Sequence, residues 1–200
     1  MALKAVERLA SVDRNGQATS SPTNLAELAG KRARNFFEAH HLSCSEAALL
    51  VINEGFGGGL SPDQAIAMGS GFGGGIGNSG CVCGALSGAV MGMGLLVGPR
   101  GPFALEKKEF RKGVGHFHDQ FQQQSGAVCC RNLIADFRKG SRARKNFCAD
   151  LTEGAVRDAV AYCLEKRPEI SRQAHLEFLA GRDSRLSLLV GKLFRPPFAG

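Results

Sequence analysis

Nothing between residues 71 and 99 carries a charge, and inside that stretch glycine recurs at positions 84, 88 and 92. A four-residue repeat puts all three on one face of an α-helix. Each glycine costs a helix interior up to about 1 kcal/mol relative to alanine, so a helix that keeps three must gain close contact with a neighbour in return. The length alone permits a membrane span. Glycine, serine and two cysteines dilute its apolar character, however, and residues 69–80 have the composition of a loop. The reading is a buried helix over about 82–97, packed through its glycine face, with no membrane span.

The rest of the chain reads as helices, with almost no strand alternation. Asn24 followed by Glu27 is a capping-type start, and Leu25, Leu28, Phe36 and Phe37 give that helix an apolar face ending near His40. Ser43 with Glu46 repeats the signature and predicts a helix through Glu54, stopped by the glycines from Gly55 onward. Ser61-Pro62-Asp63 combines a cap, a first-turn proline and an acid, and predicts a short third helix. Phe103, Phe110, Val114, Phe117 and Phe121 are spaced helically over about 103–123, and Asn146 is a candidate cap for a helix to about Glu165.

With 44% hydrophobic residues, 200 residues suffice to bury one core. The expected fold is all-α: a compact bundle of about five to seven helices with a glycine-rich loop. Residues 1–22 read as a flexible lead, 23–168 as the helical domain that holds the cysteines, and 169–200 as a C-terminal helical tail. The tail is read as an appendage, with short helices over about 172–180 and 186–194.

Two superficial signals are set aside. Gly75-Ile76-Gly77-Asn78-Ser79-Gly80 matches the dinucleotide pattern GxGxxG, but that pattern works only between a strand and a helix, and here helix and loop precede it. The formal net charge of +7 is concentrated in Arg131, Arg138, Lys139, Arg142, Arg144 and Lys145, opposed locally by Asp136 alone. Without interleaved aromatics or a recognised motif, this run reads as a solvated basic loop, and no nucleic-acid partner is expected. The start of the chain carries no basic and apolar leader. The expected compartment is cytoplasmic, where thiols stay reduced and clustered cysteines bind metal or do redox chemistry.

Seven cysteines then carry the chemistry. On the helical reading Cys44, Cys83, Cys130 and Cys148 each fall at a helix start, where unpaired N–H groups and the helix dipole favour thiolates. Converging, they would hold an anionic iron–sulfur cluster, with Gly75, Gly77 and Gly84 letting backbone donors approach it. Cys81 and Cys129 neighbour these residues and read as alternative ligands, resolving thiols or packing. Cys163 reads as a small buried hydrophobe. His116 and His118 point to different faces of one helix, His40 and His41 close another, and His175 is isolated, so none is assigned to metal.

These residues carry a resemblance. Cys44-Ser45-Glu46-Ala47, the loop from Gly71 to Gly77, Cys83-Gly84-Ala85-Leu86-Ser87-Gly88, Cys130-Arg131-Asn132-Leu133 and Cys148-Ala149-Asp150-Leu151 together resemble the redox-active proteins named for a C_GCAxxG_C_C cysteine pattern, over about residues 28–165. The resemblance implies a small, mostly helical redox-active protein; a similar domain accompanies haem and an iron–sulfur centre in split-Soret cytochromes. Cys81, Cys129 and Cys163 are additional to the four-cysteine pattern, and the adjacent pair Cys129-Cys130 leaves open which thiol fills the third position. No Cys-x-x-Cys-His supports covalent haem.

Three functions follow as expectations. The first is electron transfer or redox sensing through an iron–sulfur cluster on the four cysteines, with an unknown redox partner protein. The second is a metal-free thiol–disulfide oxidoreductase in which Cys83 attacks and Cys130 or Cys81 resolves. The third is a structural zinc site in an interaction module. A homodimer through the glycine face is an option the residues leave open.

Overall fold

The computed structural model describes residues 11–12, 18–19, 21–39 and 42–184. The fold is all-α, as expected, with six helices of seven residues or more among the described residues. In chain order these residues form a two-residue antiparallel ladder, β1 (Ser11–Val12) and β2 (Ala18–Thr19), then α1 (Pro22–Ala39), α2 (Cys44–Phe56), α3 (Pro62–Ser70) and α4 (Gly84–Val97). There follow α5 (Lys107–Ser125), α6 (Cys130–Leu133), α7 (Arg142–Lys166), a 3-10 helix (Pro168–Gln173) and α8 (Leu176–Ala180). Most of the expected flexible lead, His40, His41 and the expected helix over 186–194 lie outside the described residues.

Local chemistry explains most boundaries. Ser43 Oγ accepts from Glu46 N at 3.3 Å while the Glu46 carboxylate accepts from Ser43 N at 2.6 Å, a reciprocal cap that opens α2. Ser61 and Gln64 do the same for α3. Gly57, at φ +69°, closes α2 in the left-handed conformation that glycine adopts without penalty. Three starts differ from the sequence reading. Ser21 rather than Asn24 opens α1, with its Oγ accepting from Asn24 N at 3.3 Å and Pro22 in the first helical position. Phe103 precedes α5 and is exposed, since the chain turns through Gly101 and Pro102 before Lys107. Ser141, not Asn146, opens α7, its Oγ accepting from Arg144 N at 3.2 Å.

The core is built around α2. Ala47, Ala48, Leu49, Leu50, Val51, Ile52 and Phe56 are all buried, so apolar residues occupy nearly every side of this helix. One side meets α4 through the glycine face. A Cβ on Gly88 would stand 2.5 Å from the Ser45 carbonyl oxygen, and one on Gly92 would stand 2.6 Å from Ile52 Cδ1. The glycine repeat is therefore consumed inside the chain, as close helix packing. Asn53, buried, fixes the next turn: its Nδ2 donates to Leu60 O at 2.8 Å and its Oδ1 accepts from Leu60 N at 3.0 Å.

The α1 helix lies along α7, and the segment after α7 folds back over both α1 and α2. Its sequence reads as an appendage, yet Ile170 and Leu179 are buried in the core and Leu179 Cδ2 occupies the space a side chain at Gly55 would need. Arg32 pairs with Asp183 at 3.0 Å, under the rings of Phe36 and Phe178. No described helix is long and apolar enough to cross a membrane.

Candidate four-thiol site

Four chain segments bring Cys44, Cys83, Cys130 and Cys148 into one electrostatic neighbourhood. Cys44 is the first residue of α2 and Cys83 the residue that precedes α4. Backbone N–H groups of Ala85 and Leu86 donate to the Cys83 sulfur, and that of Ser45 donates to the Cys44 sulfur. For these two cysteines the expected placement at a helix start holds. Cys130 opens α6, which is a single four-residue turn. Cys148 lies in the second turn of α7, because that helix begins at Arg142, so it is not at a helix start.

Glycine makes the approach of α2 to α4 close at this end. A Cβ on Gly84 would stand 2.6 Å from Cys44 Sγ. Gly75, at φ +77°, plays the equivalent part in the loop: a Cβ there would meet Cys81 N at 2.5 Å and Cys130 Cβ at 3.1 Å. The position of Gly77 opens onto free space. Gly75 and Gly84 thus lie against the cysteines, where a side chain would not fit.

The expected direction of the thiol pKa values is overturned. Burial pushes the Cys44 thiol up to about 12, and the charges of Cys83, Cys148 and Cys130 add to that rise. Cys148 is pushed up to about 11 by burial and then by Cys130 and Cys83, with Arg144 opposing. Cys83 and Cys130 are raised too, burial again being the main cause; the Leu86 and Ala85 N–H groups oppose it at Cys83, and Arg144 at Cys130. Desolvation and mutual repulsion outweigh the helix-start effect. Burial and mutual charge both disfavour thiolates here unless a cation joins them.

Arg144 is the cation whose charge favours the thiolates of Cys130 and Cys148, and Arg131 ties down the glycine loop. Arg131 Nη2 donates to Ser79 O at 2.5 Å and its backbone N–H to Gly80 O at 2.9 Å. The remaining cations of the run, Arg138, Lys139, Arg142 and Lys145, are exposed, as the sequence reading expects.

The other cysteines are resolved by the structure. Cys81 and Cys129 form a disulfide, with Cα atoms 4.4 Å apart, and Cys44, Cys83, Cys130, Cys148 and Cys163 are free. Of the adjacent pair, Cys130 is thus the thiol that faces the cluster. Sequence reasoning missed this bond because connectivity between cysteines 48 residues apart has no local signature. Cys163 is buried on α7, pushed up to about 12 by burial, as a packed thiol should be. His118 pairs with its neighbour Asp119 at 2.9 Å, and His175 stacks on Phe178.

What this donor set can do is limited by its composition and spacing. It offers four sulfurs from four segments with two helix-start amide arrays, a set suited to an anionic metal–sulfur core. Among the described residues, no group of three or more histidine, cysteine, aspartate or glutamate side chains is arranged to hold one metal ion.

Residues 42–162 match the family described as "Putative redox-active protein (C_GCAxxG_C_C)". The chain belongs to this family. The matched span includes all four candidate cysteines and the Cys81–Cys129 disulfide, and redox activity is what the family's description carries. No curated protein and no solved structure matches the chain.

Proposed function

We propose that Cys44, Cys83, Cys130 and Cys148 bind an iron–sulfur cluster that serves electron transfer or redox sensing. The observation that supports this reading is electrostatic: the charges of Cys83, Cys148 and Cys130 act on Cys44, and those of Cys130 and Cys83 act on Cys148, so four chain segments bring their thiols near one another. Four neighbouring thiolates need a cationic core to coexist, and the amides aimed at Cys83 and Cys44 suit the sulfurs of such a core. The cluster would supply a one-electron couple; the protein's part is to hold four sulfurs, exclude water and set donors against them.

The metal-free oxidoreductase reading meets a specific obstacle. As an attacking thiol Cys83 is 4% exposed and holds its proton, the opposite of what a nucleophile needs. Metal analysis separates a zinc ion on the same thiols from a cluster.

Anaerobically prepared protein is expected to be brown, with iron and acid-labile sulfide and a visible charge-transfer band. Cys83→Ser should lose the band while Cys163→Ser keeps it. Iron-free protein, or iron unchanged in Cys83→Ser, would overturn the proposal; stoichiometric zinc would favour the structural site.

A further inference from the structure

The Cys81–Cys129 disulfide lies outside the four-thiol set. It joins the end of the glycine loop to the segment just before α6. Two backbone hydrogen bonds flank it: Cys83 N donates to Val128 O at 2.8 Å, and Arg131 N donates to Gly80 O at 2.9 Å. Cys81 is exposed and Cys129 half-buried, whereas the core around α2 is formed without either. The Arg131 side chain lies against Gly80, next to Cys81, so a fixed cation stands beside the exposed end of the bridge.

We propose that Cys81–Cys129 is an exchangeable disulfide: a two-electron redox site, separate from the four thiols, that takes electrons from an external dithiol attacking Cys81. Exposed disulfides are the labile and catalytic ones, because the attacking thiolate must reach a sulfur along the bond. The attacker is an anion, and Arg131 draws it toward Cys81. One sulfur of the dithiol bonds to Cys81 Sγ, the Cys81–Cys129 bond breaks, and Cys129 leaves with the electron pair. The second sulfur of the dithiol then displaces Cys81, closing a disulfide in the reductant. Two electrons and two protons pass from the dithiol to the protein, leaving Cys81 and Cys129 as thiols. The flanking backbone hydrogen bonds do not depend on the bridge, so the two segments stay paired and the bond can reform. Each carries a neighbour of the four-thiol site, Cys83 on one side and Cys130 on the other.

Dithiothreitol serves as the probe dithiol, with differential alkylation read by mass spectrometry on the full chain. Native protein blocked with N-ethylmaleimide should leave Cys81 and Cys129 unlabelled before treatment; after dithiothreitol both should label while buried Cys163 stays protected. Cys129→Ser should free Cys81 to form a mixed disulfide with 5,5′-dithiobis(2-nitrobenzoate), about tenfold or more faster than any thiol of the Cys81→Ser/Cys129→Ser double variant. Labelling of Cys81 and Cys129 without reductant would overturn the proposal, as would opening only together with Cys163 in denaturant, or equal rates in the two variants. Iron is counted in the same samples: iron-free protein with an openable bridge rejects the cluster alone, and iron-loaded protein with an inert bridge rejects the exchange alone.

Discussion

Two helix seams hold this molecule together, and they are built differently. The α1–α7 seam buries Ala29 and Ala33 on one helix and Ala155 and Ala159 on the other, with a single close approach where a Cβ on Gly30 would stand 2.7 Å from the Glu153 carbonyl oxygen. Its rim is charged: Arg34 pairs with Glu38 at 3.0 Å, with Glu153 at 3.1 Å and with Asp150. The α2–α4 seam carries no ion pair between its helices, is glycine on one side, and runs directly up to Cys44 and Cys83. The difference separates holding the fold from positioning the site. Charge at a half-exposed rim adds little and tolerates imprecise spacing, whereas thiols that must meet without water need backbones brought close enough for Gly84 to touch Cys44 Sγ.

The largest effect should come from filling the glycine seam. Gly88→Ala drives a Cβ against the Ser45 carbonyl, a backbone atom that cannot swing aside, and is expected to cost about 3 kcal/mol. Gly30→Ala meets the Glu153 carbonyl at 2.7 Å and should destabilise comparably. Only Gly88→Ala should also disturb the thiol site, read as iron per folded molecule beside urea midpoints; equal iron loss in both would erase the distinction between the seams.

Next comes alkaline pH, through a thiol on α7 that belongs to neither the site nor the bridge. Burial pushes Cys163 from an ordinary 9.0 up to about 12, so the unfolded chain loses that proton first. Its contribution is whole below about pH 9 and drains away as pH rises toward 12, roughly 1.4 kcal/mol being lost by pH 10. Cys163→Ala should flatten that part of the stability–pH curve, and an unchanged slope would refute the assignment. Gly94 lies on α4 with nothing within 4 Å of its would-be Cβ, so Gly94→Ala should stabilise by about 0.5–1 kcal/mol in the same urea series. The smallest effect belongs to the charged rim: Arg34→Ala should cost under about 1 kcal/mol, and less at high salt.

Much of this was legible because it is local. Ser43 with Glu46, Ser61 with Pro62, and the glycines at 84, 88 and 92 each encode a cap or a packing face within a few residues, and α2, α3 and α4 follow from them. The start of α7 differs from the expected one because its first turn is largely solvent-facing, so no apolar periodicity marks it. The thiol pKa directions failed for a different reason. A helix start is visible in sequence, but the burial and mutual charge that outweigh it exist only once four distant segments meet. Ile170, an isolated apolar residue in a polar stretch, has no pattern that announces its burial, and the short apolar run around Leu179 does not show which helices it meets.

The way Leu179 seats against Gly55 has a consequence for what counts as a unit here. The span shared with the family, residues 42–162, includes every candidate ligand yet omits α1 and the segment bearing Ile170 and Leu179. A polypeptide trimmed to that span would lose the buried side chains of Leu25, Ala29, Ala33, Ile170 and Leu179 from its core. Residues 42–162 hold the candidate ligands, and they are not expected to fold without the core side chains that α1 and the last described segment supply.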